Sequence, residues 1–471
     1  MNTIIWLRED LRLTDNPALH FAAQQGSVTP VFIYPLGLGG ASKWWLHHSL
    51  VSLKRSFAEF GVELILRKGD AEKILPDIAK ATGSDRVVWN RVYSPNGIAT
   101  AQKVMQALES ESKIGQSFSS QLLIEPTRIF TKQGTPFKVF TPFWRHCLSV
   151  LEPGNPLQVP EITPTGRTLE SDKLENWDLL PFKPDWSAGL KQRWLPGEFG
   201  AEQRLEQFLS VAVHCYRNGR DIPGQENTSM LSPHLAFGEV SPRQIWFAVH
   251  EAMAANSVDA DNGNKFLSEI GWREFSRYLL VHFPKVISEP FNAKFDEFPW
   301  GGEPQTLKAW QKGQTGYPIV DAGMRELWAT GYMHNRVRMV VASFLTKHLR
   351  THWHAGMDWF WDTLVDADIA NNTASWQWAS GCGADAAPYF RIFNPILQGE
   401  KFDAEGHYVK KWVPELADLP KRYIHKPWEA DPMTLQLANV RLGDNYPLPI
   451  VDHKEARESA LSAYQEIRTV R

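Results

Sequence analysis

Five short runs of apolar, often β-branched residues open the chain, at residues 3–7, 28–34, 62–67, 86–89 and 121–124. Enough chain for a helix separates each from the next, and strands alternating with helices predict βαβ units around a five-stranded parallel sheet. The pattern predicts an α/β domain over residues 1–126. Prolines and glycines then crowd residues 127–200, which predicts a long surface connector holding one helix near residues 141–151. Beyond Gly200 the spacing of apolar positions changes to three and four. AEQRLEQFLSVAVHCYRN, SPRQIWFAVHEAMA, NKFLSEIGWREFSRYLLVHF, PIVDAGMRELWATG, NRVRMVVASFLTKHL and MDWFWDTLVD each carry one apolar stripe, so an all-helical domain is expected over residues 201–471.

Length agrees, because 471 residues exceed what one ordinary core holds. A net charge of −3 excludes a polycation, so any nucleic-acid site has to be a local basic patch. Three scattered cysteines, Cys147, Cys215 and Cys382, suit a reducing cytosol and argue against a disulfide framework or a zinc site. The opening MNTIIWLREDLRL sets charges directly after a short apolar run, unlike a signal peptide, and no window nears ~18 uninterrupted apolar residues. No G-x-G-x-x-G follows the first strand, so a dinucleotide is not expected at the switch point of this sheet. Twenty tryptophans exceed ordinary usage, and where they cluster they serve stacking or one-electron chemistry as well as packing.

Chemistry concentrates in LVDADIANNTASWQWASGCGADAAPYFRIFN, residues 364–394. On a helix, Asp368, Asn372 and Trp376 share one face. They suit either the wall of a site for a flat polar ligand or a capped helix whose polar groups bond one another. Asp385, Tyr389 and Arg391 follow within a short span. Upstream, Thr228, Ser229 and Ser232 in NTSMLS stand ahead of a helix, as a phosphate cradle or as ordinary caps. Glu269, Trp272 and Arg273 fall within one turn, and Glu269 with Arg273 reads as a surface ion pair. Alternatively the trio grips a base, acid to its edge, ring to its face and guanidinium to a phosphate. Arg338 is a natural partner for Asp366.

Together WLREDLRLTDNPAL, TSMLSPHLAFGEVSPRQ, EIGWREF, GQTGYPIVDAGMREL, GYMHNRVRM and DADIANNTASWQWASGCGADAAPYFRIFNP resemble the photolyase/cryptochrome flavoproteins along the whole chain. The resemblance implies an α/β antenna domain and a helical domain that buries FAD, reduced in the active state. Tyr216, Thr228, Ser229, Met230, Leu231 and Ser232 match the motif around the FAD phosphates and ribityl chain, and Phe266 and Glu269 match the edge of the flavin cavity. Arg338, Asp366, Asp368 and Asn372 match residues around the isoalloxazine, with Asn372 facing N5. An amide there bonds a protonated or an unprotonated nitrogen equally.

The family splits between light-driven repair of DNA and blue-light signalling, and photolyases are among the base-flipping enzymes. Glu269 matches the acid that bonds a flipped pyrimidine dimer, Trp272 and Trp378 match the rings that stack on it, and Met339 matches an apolar contact. Arg273 is assigned to a DNA phosphate, and Asn335, Arg336 and Arg391 to the rim facing the DNA backbone. Six-four photolyases carry histidines at the positions of Asn335 and Met339, so the resemblance favours cyclobutane dimers in ultraviolet-damaged DNA. Asn372 and Trp272 point away from plant-type and DASH cryptochromes, and SKWWLHHSL and SGCGADAAPYF resemble the bacterial class III branch. A cryptochrome-type photoreceptor is the alternative. Trp376, Trp353 and Trp300 match the family's electron-hopping tryptophans. The resemblance also implies a 5,10-methenyltetrahydrofolate antenna, housed near Trp44, Trp45, His47 or Tyr93. A monomer in the bacterial cytosol is expected, without a metal, a membrane span or an obligate protein partner.

Overall fold

A computed structural model describes residues 2–386 and 391–469; Tyr389 lies outside them. The chain folds as two compact units. The first comprises Met1–Asp185, Arg193–His214 and Ser229–Pro284, and the second Trp186–Gln192, Cys215–Thr228 and Lys285–Arg471. These limits differ from the boundaries expected at residues 126 and 200. The helix Phe140–Val150, inside the expected connector, packs within the first unit, where Phe143 meets Phe275 at 5.0 Å and Tyr278 at 4.8 Å.

The first unit holds the sheet. β1 (Asn2–Leu7), β2 (Ser27–Ile33), β3 (Ile65–Arg67), β4 (Arg86–Asn90) and β5 (Ile114–Phe118) run parallel in the order β3-β2-β1-β4-β5. Thr163–Pro164 adds a two-residue pairing to β2. β1 and β2 are buried along almost their whole length, which is why both appear as unbroken apolar runs. The fifth strand, expected at residues 121–124, lies instead at Ile114–Phe118. It is an edge strand with Gln116 and Ser117 among its positions, so it leaves no apolar run. The apolar segment after it is loop, and Leu123 and Ile124 donate their N–H groups to the Glu274 carboxylate at 2.9 and 3.4 Å.

The turn after β1 is a buried polar knot. Arg12, 1% exposed, donates to the carbonyls of Gly238 (2.9 Å) and Asp15 (2.8 Å) and to the Ser120 hydroxyl. Leu11 N–H reaches the Phe237 carbonyl at 3.1 Å, and the Asp15 carboxylate accepts from Ser241 and Arg243. Only glycine fits at 238: its φ is +67°, and a Cβ would stand 2.0 Å from the Glu9 carbonyl oxygen.

The second unit is helical. Its elements include Pro304–Gln311, Pro318–Thr330, Asn335–Ser343 running into a π turn at Phe344–His348, Trp353–Thr363, Ile369–Ser380 and His453–Thr469. Trp310, Tyr317, Met324, Trp353, Trp376 and Tyr408 are among the buried residues of its core. One helix expected across residues 201–218 breaks: Glu198–Ser210 ends at Val211, and a 3-10 turn and the one-turn helix Tyr216–Gly219 follow. Among the described residues no helix is long and apolar enough to cross a membrane.

Candidate functional site

In the first unit the Ala260–His282 helix carries one set of candidate residues. Asp259 caps it, accepting from Asp261 N–H at 3.1 Å and Asn262 N–H at 3.2 Å. Phe266 is buried against Phe208 at 4.3 Å between ring centres. One turn on, the half-buried Glu269 carboxylate takes Lys265 Nζ at 2.9 Å. Trp272 stacks on Phe140 at 3.8 Å and 11°, so its plane is set by a neighbouring ring.

Arg273 is a correction. It does not face solvent: it is 7% exposed, and its guanidinium donates to the Gln121 carbonyl at 2.7 Å. It lies beside the buried Glu274 carboxylate at 3.5 Å, so its charge is enclosed. A DNA phosphate is therefore not its partner.

Ser229 and Ser232 frame a tight bend in the same unit. Leu231 N–H donates to the Ser229 hydroxyl at 3.4 Å, Met230 holds a left-handed φ of +56°, and Ser232 opens the helix Ser232–Ala236. Such strained backbone persists where surroundings fix it, often beside a ligand. Thr228, assigned to the second unit, shares a hydrogen bond with the Tyr332 hydroxyl. Tyr216 in that unit is buried, with the Arg220 guanidinium 5.4 Å from its ring centre.

Arg338 and Asp366 form a bidentate pair in the second unit, at 3.1 and 2.8 Å. Arg338 Nε also donates to the Met333 carbonyl at 2.7 Å. Burial works to lower the Arg338 pKa, but the Asp366 charge and its hydrogen bonds outweigh that, and the net shift is upward. Asp368 is the N-cap of the Ile369–Ser380 helix and accepts from Asn371 N–H at 2.8 Å. Asn372 is buried and its Nδ2 donates to the Met357 carbonyl at 3.0 Å, which fixes the amide plane and leaves the oxygen without a hydrogen bond among the described residues.

Beside this pair stands a residue that the sequence contained but did not single out. His334 caps the Asn335–Ser343 helix, its Nδ1 accepting Arg336 N–H at 3.2 Å, so the ring hydrogen is on Nε2. That Nε2 is buried with no partner among the described residues. Burial pushes the His334 pKa to about 4, with Asp221 opposing and Arg336, Arg338 and Arg220 adding to the fall. A neutral imidazole with a spare N–H amid three guanidiniums is a donor set for an anionic ligand. Its signal was its place in GYMHNRVRM.

Arg336 pairs with Asp221 at 2.8 Å, and its guanidinium lies 4.3 Å from the Phe402 ring centre and donates to the Met339 sulfur at 3.8 Å. Asn335 and Arg391 are exposed, whereas Met339 and Trp378 are half-buried. Arg391 lies over Phe393 at 5.1 Å, and Trp378 meets the same ring at 6.3 Å.

The three electron-transfer candidates lie in one unit, Trp353 and Trp376 in its core and Trp300 packed against that core. Trp376 is 2% exposed, packed edge-on to Phe360 at 5.0 Å and Trp310 at 6.2 Å. Gly356 makes room for it: a Cβ there would fall 2.0 Å from the indole. Trp353 is buried against His354 at 3.8 Å, and half-buried Trp300 packs on Phe298 at 4.5 Å.

The antenna candidates separate. Trp45 is fully buried, gives its only N–H to Glu239 at 3.0 Å and packs on Trp194, His234 and Phe237, so it is core rather than a chromophore wall. Tyr93 likewise spends its hydroxyl on Glu125 at 2.8 Å, and burial raises its pKa. Trp44 Nε1 and Ser49 Oγ, on the Gly40–Ala58 helix, are buried without a hydrogen-bond partner among the described residues. His47, half-buried on the same helix, has its pKa lowered by burial, with Glu175 opposing. Among the described residues no cluster of three or more His, Cys, Asp or Glu could hold a metal, and no disulfide joins the three cysteines.

Comparison with known proteins agrees with this arrangement. Residues 3–162 match the family model of DNA photolyase, and residues 266–466 match that of the FAD binding domain of DNA photolyase. The chain is 51% identical to the deoxyribodipyrimidine photo-lyase of Agrobacterium fabrum, over 99% of its own length and 98% of that protein. It is 40% identical to cryptochrome-2 of Arabidopsis thaliana, over 99% of its length and 79% of that relative. The crystal structure of a bacterial class III photolyase from Agrobacterium tumefaciens superposes with a TM-score of 0.97 at 51% identity, covering 100% of this chain and 98% of that one. Sheet, helical remainder and these likenesses together place the chain in the DNA photolyase family, with an FAD-binding domain.

Proposed function

We propose that the protein is a light-dependent lyase that splits cyclobutane pyrimidine dimers in ultraviolet-damaged DNA. The observation that carries this reading is on the Ala260–His282 helix, where Glu269 keeps a half-buried carboxylate within one turn of a Trp272 ring held flat by Phe140. An acid beside a fixed ring suits a flipped, uncharged base pair, which needs an edge acceptor and a face to stack on.

Bound in reduced form and excited by light, FAD supplies the electron that opens the dimer. The chain's own residues hold and orient. Tyr216, Thr228, Ser229, Met230, Leu231 and Ser232 would seat the phosphates and ribityl chain. Phe266 walls the cavity. Asp366 keeps Arg338 aligned toward the ring system, Asp368 caps the helix behind it, and Asn372 presents a fixed amide to N5. Glu269 accepts from the dimer, Trp272 and Trp378 stack on it, and Met339 excludes water. Asn335 and Arg391 face the DNA backbone. Trp376, Trp353 and Trp300 return electrons from solvent to oxidised flavin.

Residues 1–126 serve as the antenna domain, 127–200 as the connector and 201–471 as the catalytic domain. The antenna is 5,10-methenyltetrahydrofolate, for which Trp44, Ser49 and His47 offer polar groups on one helix. The protein works as a monomer in the cytosol without an obligate protein partner. The test is direct: reduced protein under blue light restores thymine absorbance to an ultraviolet-damaged oligonucleotide. Absence of restoration with FAD bound moves the assignment to a photoreceptor, and an absorption spectrum of the unreduced protein separates folate from a second flavin.

A further inference from the structure

His352 lies against two of the proposed relay indoles. Its imidazole centre is 5.0 Å from the Trp300 ring at 64° and 5.6 Å from the Trp353 ring at 26°. Its orientation is fixed as well. His352 is the N-cap of the Trp353–Thr363 helix, and its Nδ1 accepts the His354 N–H at 3.2 Å. A ring nitrogen that accepts carries no hydrogen, so the imidazole is neutral with its hydrogen on Nε2. Burial, then the neighbouring His354, hold its pKa below the ordinary value. His354 in turn is anchored through Nε2 to the Ile287 carbonyl at 3.2 Å, and among the described residues no carboxylate pairs with His352.

We propose that His352 is a positioning residue of the relay, a neutral spacer that fixes the Trp300 and Trp353 rings and keeps positive charge away from them while an electron crosses. The proposal rests on the relay reading above. Once Trp353 is a radical cation, one electron passes to it from Trp300. Trp353 returns to neutral and Trp300 becomes the cation, with no bond made or broken and no proton gained or lost by His352. A protonated imidazole would set a second positive charge 5.0 Å from Trp300 and 5.6 Å from Trp353, raising the energy of a cation on either ring. It would also lose Nδ1 as the helix cap.

The experiment follows photoreduction of bound FAD in the full-length holoprotein between about pH 8 and pH 5, with the imidazole titration read by NMR over the same range. The wild-type rate is expected to fall on the order of tenfold as His352 protonates, with a midpoint below that of an ordinary imidazole and matching the NMR titration. His352→Lys, with its fixed charge, should be slow at every pH. His352→Asn, neutral and a good cap, should rescue the rate and abolish the acid fall. Dimer repair by chemically reduced protein, equal in all three, reports that each is folded. An acid fall that persists in His352→Asn, or a fast His352→Lys, overturns the proposal. Trp376→Phe run alongside separates the two readings: wild-type photoreduction in that variant rejects the relay, whereas slowing there with no effect at His352 rejects only the spacer.

Discussion

Replacing Gly356 with alanine pits two effects of known size against each other. Gly356 is the fourth residue of the Trp353–Thr363 helix, and alanine inside a helix is favoured over glycine by about 1 kcal/mol. The added Cβ, however, would stand 2.0 Å from Trp376 Cη2 and 2.4 Å from Cζ3, where ordinary contact begins at 3.4 Å. The indole edge must therefore retreat by about 1.4 Å. It has nowhere to go, because Trp310 is fully buried and Phe360 is 4% exposed. Overpacking of this kind costs ~1–3 kcal/mol, so the clash cancels or exceeds the helix gain and the variant should be up to about 2 kcal/mol less stable. Urea unfolding of the holoprotein measures that difference, and blue-light photoreduction of FAD reports whether Trp376 has shifted. The rate should fall while chemically reduced protein still repairs dimers. A variant about 1 kcal/mol more stable than wild type that photoreduces at the original rate would refute the claim that Gly356 pins the indole.

Two further outcomes are expected. Glu269→Ala should lower repair per absorbed photon while FAD stays bound, because the half-buried carboxylate, paired with Lys265, is the proposed acceptor for the dimer; an unaltered quantum yield contradicts the assignment. Glu274 gives a pH signature: burial raises its carboxyl from the ordinary 4.5 to about 7, against the pull of Arg273, Arg277 and the Ile124 and Leu123 N–H groups. The folded state thus keeps a proton that the unfolded chain releases above 4.5, so this contribution to stability is complete at low pH and lost as pH rises to about 7. Wild type should lose on the order of 3 kcal/mol relative to Glu274→Gln between pH 4.5 and pH 7 in urea titrations, and parallel profiles would exclude the effect.

Sheet and site were unequally legible in the sequence. β1, β2 and β4 announced themselves because strands covered on both faces must be apolar throughout, whereas edge strand β5, IGQSF, is nowhere fully buried and vanished behind the apolar loop that follows it. The Arg338–Asp366 pair was legible although its members stand 28 positions apart in two motifs, because the resemblance sets both around one ring system. It could not tell that Arg273 turns inward, because helical period fixes which residues share a face but not which face meets the Gln121 carbonyl. His352 and Gly356 were invisible for a related reason: each matters through tertiary contacts, and no local pattern encodes those.

The Arg12 knot has a temporal cost. All five strands have been synthesised by residue 118, yet the carbonyl that receives the Arg12 guanidinium belongs to Gly238, 226 positions downstream. From the end of the last strand to Gly238, at about 5–20 residues per second, the ribosome needs on the order of six to twenty-four seconds to deliver it. Through that interval the nascent sheet carries a cation built for enclosure with part of its cage missing. A gene fragment stopping at residue 126 makes the wait permanent, and its product should aggregate or be degraded unless the later segment is supplied in trans.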